Sequence, residues 1–241
     1  MILKWYDSNK RILPWRENSN PYAIWISEVM LQQTQVNTVI PYYIRWIKKF
    51  PTIGSVARAD FNLLLKLWEG LGYYSRCKNF YAASRIVEEK YKGTIPDNYS
   101  LFRKLPGVGD YIAGAVMSIA FNKNYPAVDA NLKRVISRYL GIKNLTKQNI
   151  VRIHNELKKN IIDHRPGDIN QALMDIGSLI CKPKEALCPK CPLIDNCKGS
   201  ISGNPIIYPA KNKRKSIPTK EFIALLISCL LYTSPSPRDR G

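Results

Sequence analysis

The stretch Leu105-Pro106-Gly107-Val108-Gly109-Asp110-Tyr111 carries the strongest structural signal in this sequence, because it places a tight turn between two segments of helical periodicity. The two glycines let the backbone turn sharply and approach a ligand closely. The turn also opens the following helix, whose free N–H groups and positive dipole end point outward towards an anion. We therefore expect a helix–hairpin–helix in which Gly107, Val108 and Gly109 bind a phosphate diester. An ordinary interhelical turn uses Pro-Gly as well.

Helical periodicity extends on both sides of this turn. Apolar residues recur at three- and four-residue spacing, and glycine and proline separate the periodic segments. The segments are Pro21–Lys49, Leu63–Trp68, Lys78–Lys90, Tyr111–Phe121, Ala130–Leu140 and Lys147–Ile162. Asp60 and Asp97 stand where helix N-caps are expected. No alternating strand pattern appears before residue 220, so the sequence predicts an all-α domain over residues 1–200.

The charge of the chain indicates its partner. The 241 residues include 37 Lys and Arg against 18 Asp and Glu, a formal net charge of +19. A field of this size attracts polyanions, and the basic residues recur along the whole chain, so we expect a folded nucleic-acid-binding surface. A basic protein without such a partner would have the same composition. No apolar run could span a bilayer and no cleavable leader is recognisable, so we expect a cytoplasmic protein without a membrane partner.

The composition changes after residue 200. Residues 201–220 are rich in Gly, Ser, Asn and Pro and end in a run of basic residues, which predicts a basic linker. Glu221–Ser228 has the pattern of a first β-strand, but a strand without partners cannot bury a face or satisfy its edges. We therefore interpret residues 221–241 as the remnant of a truncated second domain, with a non-native tail over the last dozen residues.

Four of the six cysteines lie within 17 residues, with the spacing Cys-x6-Cys-x2-Cys-x5-Cys. In a cytosolic protein this density favours metal ligation over disulfides, and spacing alone leaves both zinc and an iron–sulfur cluster open. Such a closed site has no free position for a substrate, which favours a structural role. The predicted ligands are Cys181, Cys188, Cys191 and Cys197. Cys77 and Cys229 stand apart and are expected to be small apolar residues.

Two carboxylates in contrasting surroundings could carry chemistry. Glu28 lies within Trp25-Ile26-Ser27-Glu28-Val29-Met30-Leu31, where burial would raise its pKa and keep it protonated as a general acid. Asp129 follows a turn at the start of a helix, where the dipole would keep it ionised. A proton donor and an anion are what cleavage of a glycosidic bond requires. The structural alternative is a helix cap at Asp129 and an ion-pair partner at Glu28.

Together these motifs resemble the endonuclease III superfamily of DNA glycosylases, which combines the helix–hairpin–helix, an aspartate about twenty residues later and a four-cysteine loop. Within it, the chain is similar to the MutY family of adenine glycosylases from about residue 10 to residue 220. The segments that carry this closer similarity are Leu13–Arg16, Pro21–Tyr22, Ser27–Val36, Trp68–Arg76 and Asn170–Asp175.

The resemblance implies two helical lobes and a [4Fe–4S] cluster, rather than zinc, in the cysteine loop of residues 181–197. It implies double-stranded DNA as the partner and adenine opposite 8-oxoguanine or guanine as the substrate, flipped from the stack before cleavage. Glu28 would protonate adenine at N7, and Asp129 would stabilise the oxocarbenium ion of the sugar. Tyr111 and Asn131 match polar groups that orient these two carboxyls.

The remaining site residues are also assigned by resemblance. Arg16 and Gln171 match positions near the adenine edge. Four further residues match family positions that fill the gap left by the flipped adenine and contact the opposite guanine: Gln33, Thr34, Leu71 and Tyr73. The implied protein is a monomer that acts with the nucleoid in a bacterial cytoplasm.

Tyr111 separates the adenine glycosylases from relatives that act on oxidised pyrimidines, because those relatives carry a lysine there that forms a Schiff base with the sugar. A tyrosine cannot form that imine, so we expect a monofunctional hydrolase that leaves an abasic site. The alternatives are a pyrimidine glycosylase/lyase and a DNA-binding module without catalysis. Glu28 and Asp129 argue against the DNA-binding module, since a module without catalysis needs neither carboxylate.

The sequence departs from the family pattern in two places. Ala130 replaces the glycine between the catalytic aspartate and the asparagine, which a helix start tolerates unless the backbone needs a positive φ. In the family a Nudix-like β domain that helps recognise 8-oxoguanine follows the linker, and here only its presumed first strand remains.

Overall fold

The structure, a computed structural model, describes residues 2–161 and 165–210 and is helical in both ranges. The helices are α1 (Ile2–Asn9), α2 (Pro21–Leu31), α3 (Val36–Lys49), α4 (Ile53–Ala57), α5 (Phe61–Trp68), α6 (Ser75–Tyr91), α7 (Tyr99–Arg103), α8 (Asp110–Ile119), α9 (Ala130–Leu140), α10 (Lys147–Asn160), α11 (Pro166–Asp175) and α12 (Lys198–Ile201). Short single-turn helices lie between them. Within these ranges the only β-type pairing is an isolated antiparallel bridge between Cys181 and Ala186, which confirms the all-α prediction.

The first lobe is built around α2. Every residue of this helix from Tyr22 to Met30 is buried, because α3, α6 and α8 pack around it. Trp25 lies edge-on to Phe80 with ring centroids 4.9 Å apart, and full burial of such side chains contributes about 1.5–3 kcal/mol each. A helix with no exposed face also buries its one acidic residue, Glu28.

The second lobe has its own apolar core. Helices α9, α10 and α11 contribute Leu132, Ile153, Leu157 and Ile169, all buried, and α1 packs on α11. The two clusters of buried apolar side chains are separate, so the predicted pair of helical lobes is confirmed. Helix α8 contacts both α2 and α11 and therefore carries Tyr111 to the boundary between the lobes.

The small residues of α8 allow a close approach of the backbone. A Cβ atom added to Gly114 would lie 2.3 Å from the carbonyl oxygen of Pro126. Ala113, Gly114 and Ala115, which are all buried, therefore form a close-packing face of α8. This contact fixes the segment of chain that leads from Pro126 to Asp129.

Several sequence-based boundaries were wrong. Pro21–Lys49 is two helices, because the chain leaves helical geometry after Leu31 and Gln33 adopts a left-handed φ of 58°. Asp60 caps α5 as expected, but the cap of α7 is Asn98 and not Asp97. Asp97 instead pairs with Lys123 at 3.1 Å. Short polar side chains next to one another compete for the cap, and sequence spacing did not separate them.

Some predictions fall outside the described residues. The basic part of the linker, the expected strand Glu221–Ser228, Cys229 and the tail all belong to residues 211–241. Ile162, the expected end of α10, is also outside them. Among the helices that the structure describes, none combines the length and the apolar character needed to cross a membrane.

Candidate active site

A cleft of about 750 Å³ lies at the boundary between the lobes. The first lobe lines it with the loop after α2 and the start of α6. The opposite wall of the cleft is formed by the start of α8 and by the N-terminus of α9. Its lining residues are Leu31, Gln32, Gln33, Thr34, Gln35, Tyr73, Ser75, Arg76, Tyr111, Asp129, Ala130 and Asn131.

A smaller, inner pocket adjoins this cleft. Arg16, Glu28 and Gln171 line it, together with Tyr111 and Leu31. Because Tyr111 and Leu31 line both spaces, they stand between the cleft and the inner pocket. The sequence-predicted residues near the adenine edge and the predicted acid are therefore brought together behind Tyr111, from segments that are far apart in the chain.

Glu28 is buried, with 4% of its surface exposed. The hydroxyl of Tyr111 donates a hydrogen bond of 2.5 Å to its Oε2 atom. Burial raises the pKa of Glu28 to about 7, while the Tyr111 hydrogen bond and the charge of Arg16 oppose the rise. The carboxyl thus has the pKa of a general acid at neutral pH, as expected from its apolar surroundings, and it forms none of the ion pairs found among the described residues.

Asp129 is the N-cap of α9. Its Oδ1 accepts from the backbone N–H of Leu132 at 2.7 Å, and its Oδ2 accepts from the side-chain amide of Asn131 at 2.9 Å. These donors favour the carboxylate, but burial outweighs them and raises the pKa of Asp129 above its ordinary value. The hydrogen bonds at the helix start lower the pKa of Asp129 as expected, but they lower it by less than burial raises it. Asp129 is both a cap and a cleft residue, so the two interpretations of it are compatible.

Asn131 and Ala130 lie in the first turn of α9. The Oδ1 atom of Asn131 accepts from Arg134 at 2.8 Å, and Arg134 also donates to the carbonyls of Gly177 and Cys181. Asn131 is therefore held between Asp129 and a fixed guanidinium. Ala130 is absent from the positive-φ residues of the described chain, so the added methyl group is tolerated here.

Arg16 is fixed by a buried acid. It donates two hydrogen bonds, of 2.7 and 3.1 Å, to Asp175, whose side chain is fully buried. Arg11 binds the same carboxylate at 2.7 Å. Asp175 lies one turn of α11 after Gln171, so this trio holds one wall of the inner pocket. Arg11 and Asp175 had no role predicted from sequence, although an acid within a largely buried helix was a usable signal.

The residues expected to contact the opposite base are placed differently from one another. Gln33, Thr34 and Tyr73 line the cleft, and Gln33 and Tyr73 are exposed. Leu71 does not line it, because its side chain is 5% exposed and packs in the core of the first lobe. The contact of Leu71 with the opposite base stays a prediction.

The hairpin has the predicted form. Gly107 has a φ of +74°, and a Cβ atom there would also lie 2.8 Å from the Cβ of Asn79. Gly109 is the N-cap of α8, and nothing lies within 4 Å of an added Cβ, so this side of the hairpin is open to a ligand. Val108 has a buried side chain, and its N–H donates to the carbonyl of Leu105 at 3.1 Å. Val108 therefore stabilises the turn itself.

The four clustered cysteines are free of disulfides and line one cavity with apolar neighbours. Arg138, which is buried, donates to the sulfur of Cys181 at 3.2 Å. As placed, no group of three or more His, Cys, Asp or Glu side chains in residues 2–161 and 165–210 could hold a metal ion. Thiol side chains are donors of the kind that thiolate-bound metal centres use, and four of them surround this one cavity. Cys77 is buried in the first lobe, where burial raises its pKa to about 12, as expected of an apolar residue.

Comparison with known proteins identifies relatives along most of the chain. Residues 26–160 match the family described as HhH-GPD superfamily base excision DNA repair protein. An adenine DNA glycosylase of Buchnera aphidicola (subspecies Acyrthosiphon pisum, strain APS) is 41% identical over 223 residues, which are 91% of this chain and 64% of that protein. An adenine DNA glycosylase of Rattus norvegicus is 44% identical over 208 residues, covering 82% of this chain and 40% of that protein. This chain therefore spans less than two thirds of the length of either relative.

The fold also matches solved structures. A structure described as a thermostable thymine-DNA glycosylase superposes with a TM-score of 0.77 and 29% sequence identity, over 83% of this chain and 94% of that one.

Proposed function

Since the chain belongs to the HhH-GPD superfamily of base excision DNA repair proteins, we propose that it is a monofunctional adenine DNA glycosylase. Its substrate is adenine opposite 8-oxoguanine or guanine in double-stranded DNA. The observation that supports this most strongly is the pairing of Glu28, with a pKa of about 7, with the Tyr111 hydroxyl in a pocket beside the Asp129 cleft. The relatives that share this region at 41% and 44% identity are adenine glycosylases.

The reaction uses the two carboxyls in different protonation states. An adenine flipped out of the duplex enters the inner pocket, and protonated Glu28 gives its proton to N7. The bond between N9 and C1′ then breaks, and its electron pair leaves with the neutral base. The ionised carboxylate of Asp129 stabilises the resulting oxocarbenium ion. Water adds to C1′ and gives a proton to the Glu28 carboxylate, which restores the acid, completes hydrolysis and leaves an abasic site.

The groups around the carboxyls hold the reactants in place. Tyr111 orients Glu28 by its hydrogen bond, and Asn131 orients Asp129. Arg16 and Gln171 face the inner pocket and would recognise the edge of adenine. Gln33, Thr34 and Tyr73 would occupy the gap left in the duplex. Gly107 and Gly109 would bind the backbone phosphate at the N-terminus of α8.

The cysteine loop would hold a [4Fe–4S] cluster through Cys181, Cys188, Cys191 and Cys197. Four thiols around one cavity, with the Arg138 guanidinium against Cys181, supply the ligands and a compensating charge. The cluster would serve as a structural centre that fixes the loop. Lys182 and Lys184, half-buried and exposed in the same loop, would then add phosphate contacts. We further propose that the protein acts as a monomer, on nucleoid DNA in a bacterial cytoplasm.

A second candidate is removal of thymine from a T:G mispair, which the fold similarity to a thymine-DNA glycosylase favours. The deciding assay uses duplexes with A:8-oxoguanine, A:G, T:G and oxidised-pyrimidine lesions, each analysed with and without alkali. Strand breaks in the adenine duplexes after alkali treatment only are expected. Breaks without alkali would indicate a lyase, and release from T:G alone would establish the second candidate. Retained binding without any product would indicate a non-catalytic module.

A further inference from the structure

Arg76, in the first turn of α6, is a buried cation whose hydrogen-bond partners are mainly backbone carbonyls. Only 9% of its surface is exposed, and the ion pairs found among the described residues do not include it. Its Nε atom is buried without a partner. Burial of a charge without a counter-charge is unfavourable. The hydrogen bonds of this guanidinium must therefore hold specific parts of the fold together.

One end of the guanidinium binds the C-terminus of α2. Its Nη1 atom donates to the carbonyls of Val29 at 3.0 Å and Met30 at 2.9 Å, and also to the carbonyl of Gln32. The last carbonyls of a helix lack partners within it and carry the negative end of its dipole. Arg76 therefore caps the C-terminus of the helix that carries Glu28.

The other end binds a second loop. Its Nη2 atom donates to the carbonyls of Leu71 and Gly72 at 3.1 and 3.2 Å, and to Oγ1 of Thr34 at 3.2 Å. The guanidinium also lies 5.4 Å from the centre of the Tyr73 ring. One side chain thus joins the loop after α2 to the loop before α6.

These two loops hold residues in unfavourable backbone conformations. Gln33 has a φ of 58° and Tyr73 a φ of 47°, and such left-handed non-glycine residues persist where their surroundings hold them. The peptide carbonyls immediately before both residues, those of Gln32 and Gly72, are bound by Arg76. Both side chains line the cleft.

We propose that Arg76 is a positioning residue that holds Gln33 and Tyr73 in their left-handed conformations and ties them to the α2 C-terminus. It thereby sets the preference for mispaired over correctly paired adenine through the placement of Gln33 and Tyr73 in the cleft. This inference rests on the proposed function for its substrate, while its structural part stands on the loops alone.

The test compares Arg76→Met, Arg76→Lys and the wild-type full chain. Met removes all the hydrogen bonds, whereas Lys keeps the charge and satisfies fewer acceptors. Arg165→Met is the matched control, because Arg165 also makes several hydrogen bonds, to Asp7 and Asp168, away from the cleft. The Lys variant keeps the test valid if the Met variant does not fold.

Two measurements separate positioning from stability. Hydrogen exchange of the peptides covering residues 31–36 and 70–75 reports loop order without requiring activity. Active-site-titrated binding and single-turnover rates on A:8-oxoguanine and A:T duplexes report the preference. We expect faster hydrogen exchange in both loops and mispair binding weaker by about tenfold. The pH midpoint of base release should stay unchanged.

Wild-type exchange in both loops of the folded Arg76 variants would overturn the inference, as would an equal loss of preference in Arg165→Met. If the wild-type chain releases no adenine, the proposed function fails, and the exchange data still decide whether Arg76 holds the loops. If the wild-type chain is active and the Arg76 variants keep its mispair preference, the specificity role is wrong while the proposed function stands.

Discussion

The hydroxyl of Tyr111 lies 2.5 Å from Oε2 of Glu28 and donates a hydrogen bond to it. Tyr111 belongs to α8 and Glu28 to α2, so this contact exists only where the two helices pack. The hydrogen bond favours the ionised carboxyl and lowers the pKa of Glu28, in opposition to burial. In the other direction, burial first and then the Glu28 charge hold the pKa of Tyr111 well above its ordinary value. The Tyr111 hydroxyl therefore keeps its proton and acts as a hydrogen-bond donor, not as an acid.

Tyr111→Phe should shift the pH profile of base release towards higher pH. Loss of the hydrogen bond removes a contribution that lowers the Glu28 pKa, so the carboxyl stays protonated further into the alkaline range. The rate at low pH should fall by about tenfold, since the acid loses its orientation. Single-turnover rates from pH 5 to 9 measure both effects. Tyr99→Phe, which removes a hydroxyl bonded to the exposed Asp110, is the matched control, and an unshifted Tyr111→Phe profile would contradict the assignment.

Glu28→Gln should abolish release of adenine while leaving DNA binding nearly intact. The amide keeps the shape of the side chain but has no acidic proton to give, and loss of a general acid lowers rates by about 10²–10⁴-fold. Alkaline cleavage of an A:8-oxoguanine duplex measures release, and fluorescence anisotropy measures binding. Glu88→Gln, at an exposed ion pair with Arg58, should behave as wild type. Surviving activity in Glu28→Gln would show that another group is the acid.

The same carboxyl should make folding stability fall as the pH rises. The pKa of Glu28 is raised from 4.5 to about 7 in the folded protein, so the folded state binds more protons than the unfolded state between these values. The free energy of unfolding therefore decreases from pH 4.5 to pH 7, because the carboxyl ionises in the unfolded chain while it stays protonated in the folded protein. Glu28→Gln should show a smaller drop in Tm between pH 5 and pH 8 than wild type. Equal drops would mean that Glu28 titrates near its ordinary pKa.

Gly114→Ala should destabilise the protein and disturb the site together. The added Cβ would meet the Pro126 carbonyl at 2.3 Å, and overpacking of this kind costs about 1–3 kcal/mol. Because residues 126–128 lead directly to Asp129, the base-release rate of the folded fraction should fall as well. Gly109→Ala is the control for stability, since its Cβ meets nothing within 4 Å. A Tm for Gly114→Ala equal to that of Gly109→Ala would contradict the close contact.

Metal analysis of the purified protein should find iron and acid-labile sulfide at about four each per chain, without zinc. Cys191→Ala should lose both, because it removes one of the four thiols around the cavity. Cys77→Ala should keep both, since Cys77 lies in the first lobe away from that cavity. Zinc in place of iron, or iron retained by Cys191→Ala, would show that the cysteine loop has another role.

Much of this protein could be predicted from local sequence. The periodicity of α9 gave its bounds because one face packs and the other is solvated, and the continuous apolar character of α2 implied that Glu28 is buried. Errors arose where the backbone departs from regular geometry. The break after Leu31 carries no glycine or proline, and the left-handed conformation of Gln33 is held by Arg76, which is 43 residues away in the chain.

The site itself depends on contacts between distant segments. Local patterning specified which residues form helices, where the hairpin turns, and which acid lies in apolar surroundings, because these properties depend on neighbours within one or two turns. The packing of α8 between the lobes placed Tyr111 against Glu28. Likewise, the approach of residues 11–16 to the end of α11 paired Arg11 and Arg16 with Asp175. Buried charges and strained loops are stable only with partners that the whole fold supplies, so the tertiary structure set their pKa values and their geometry.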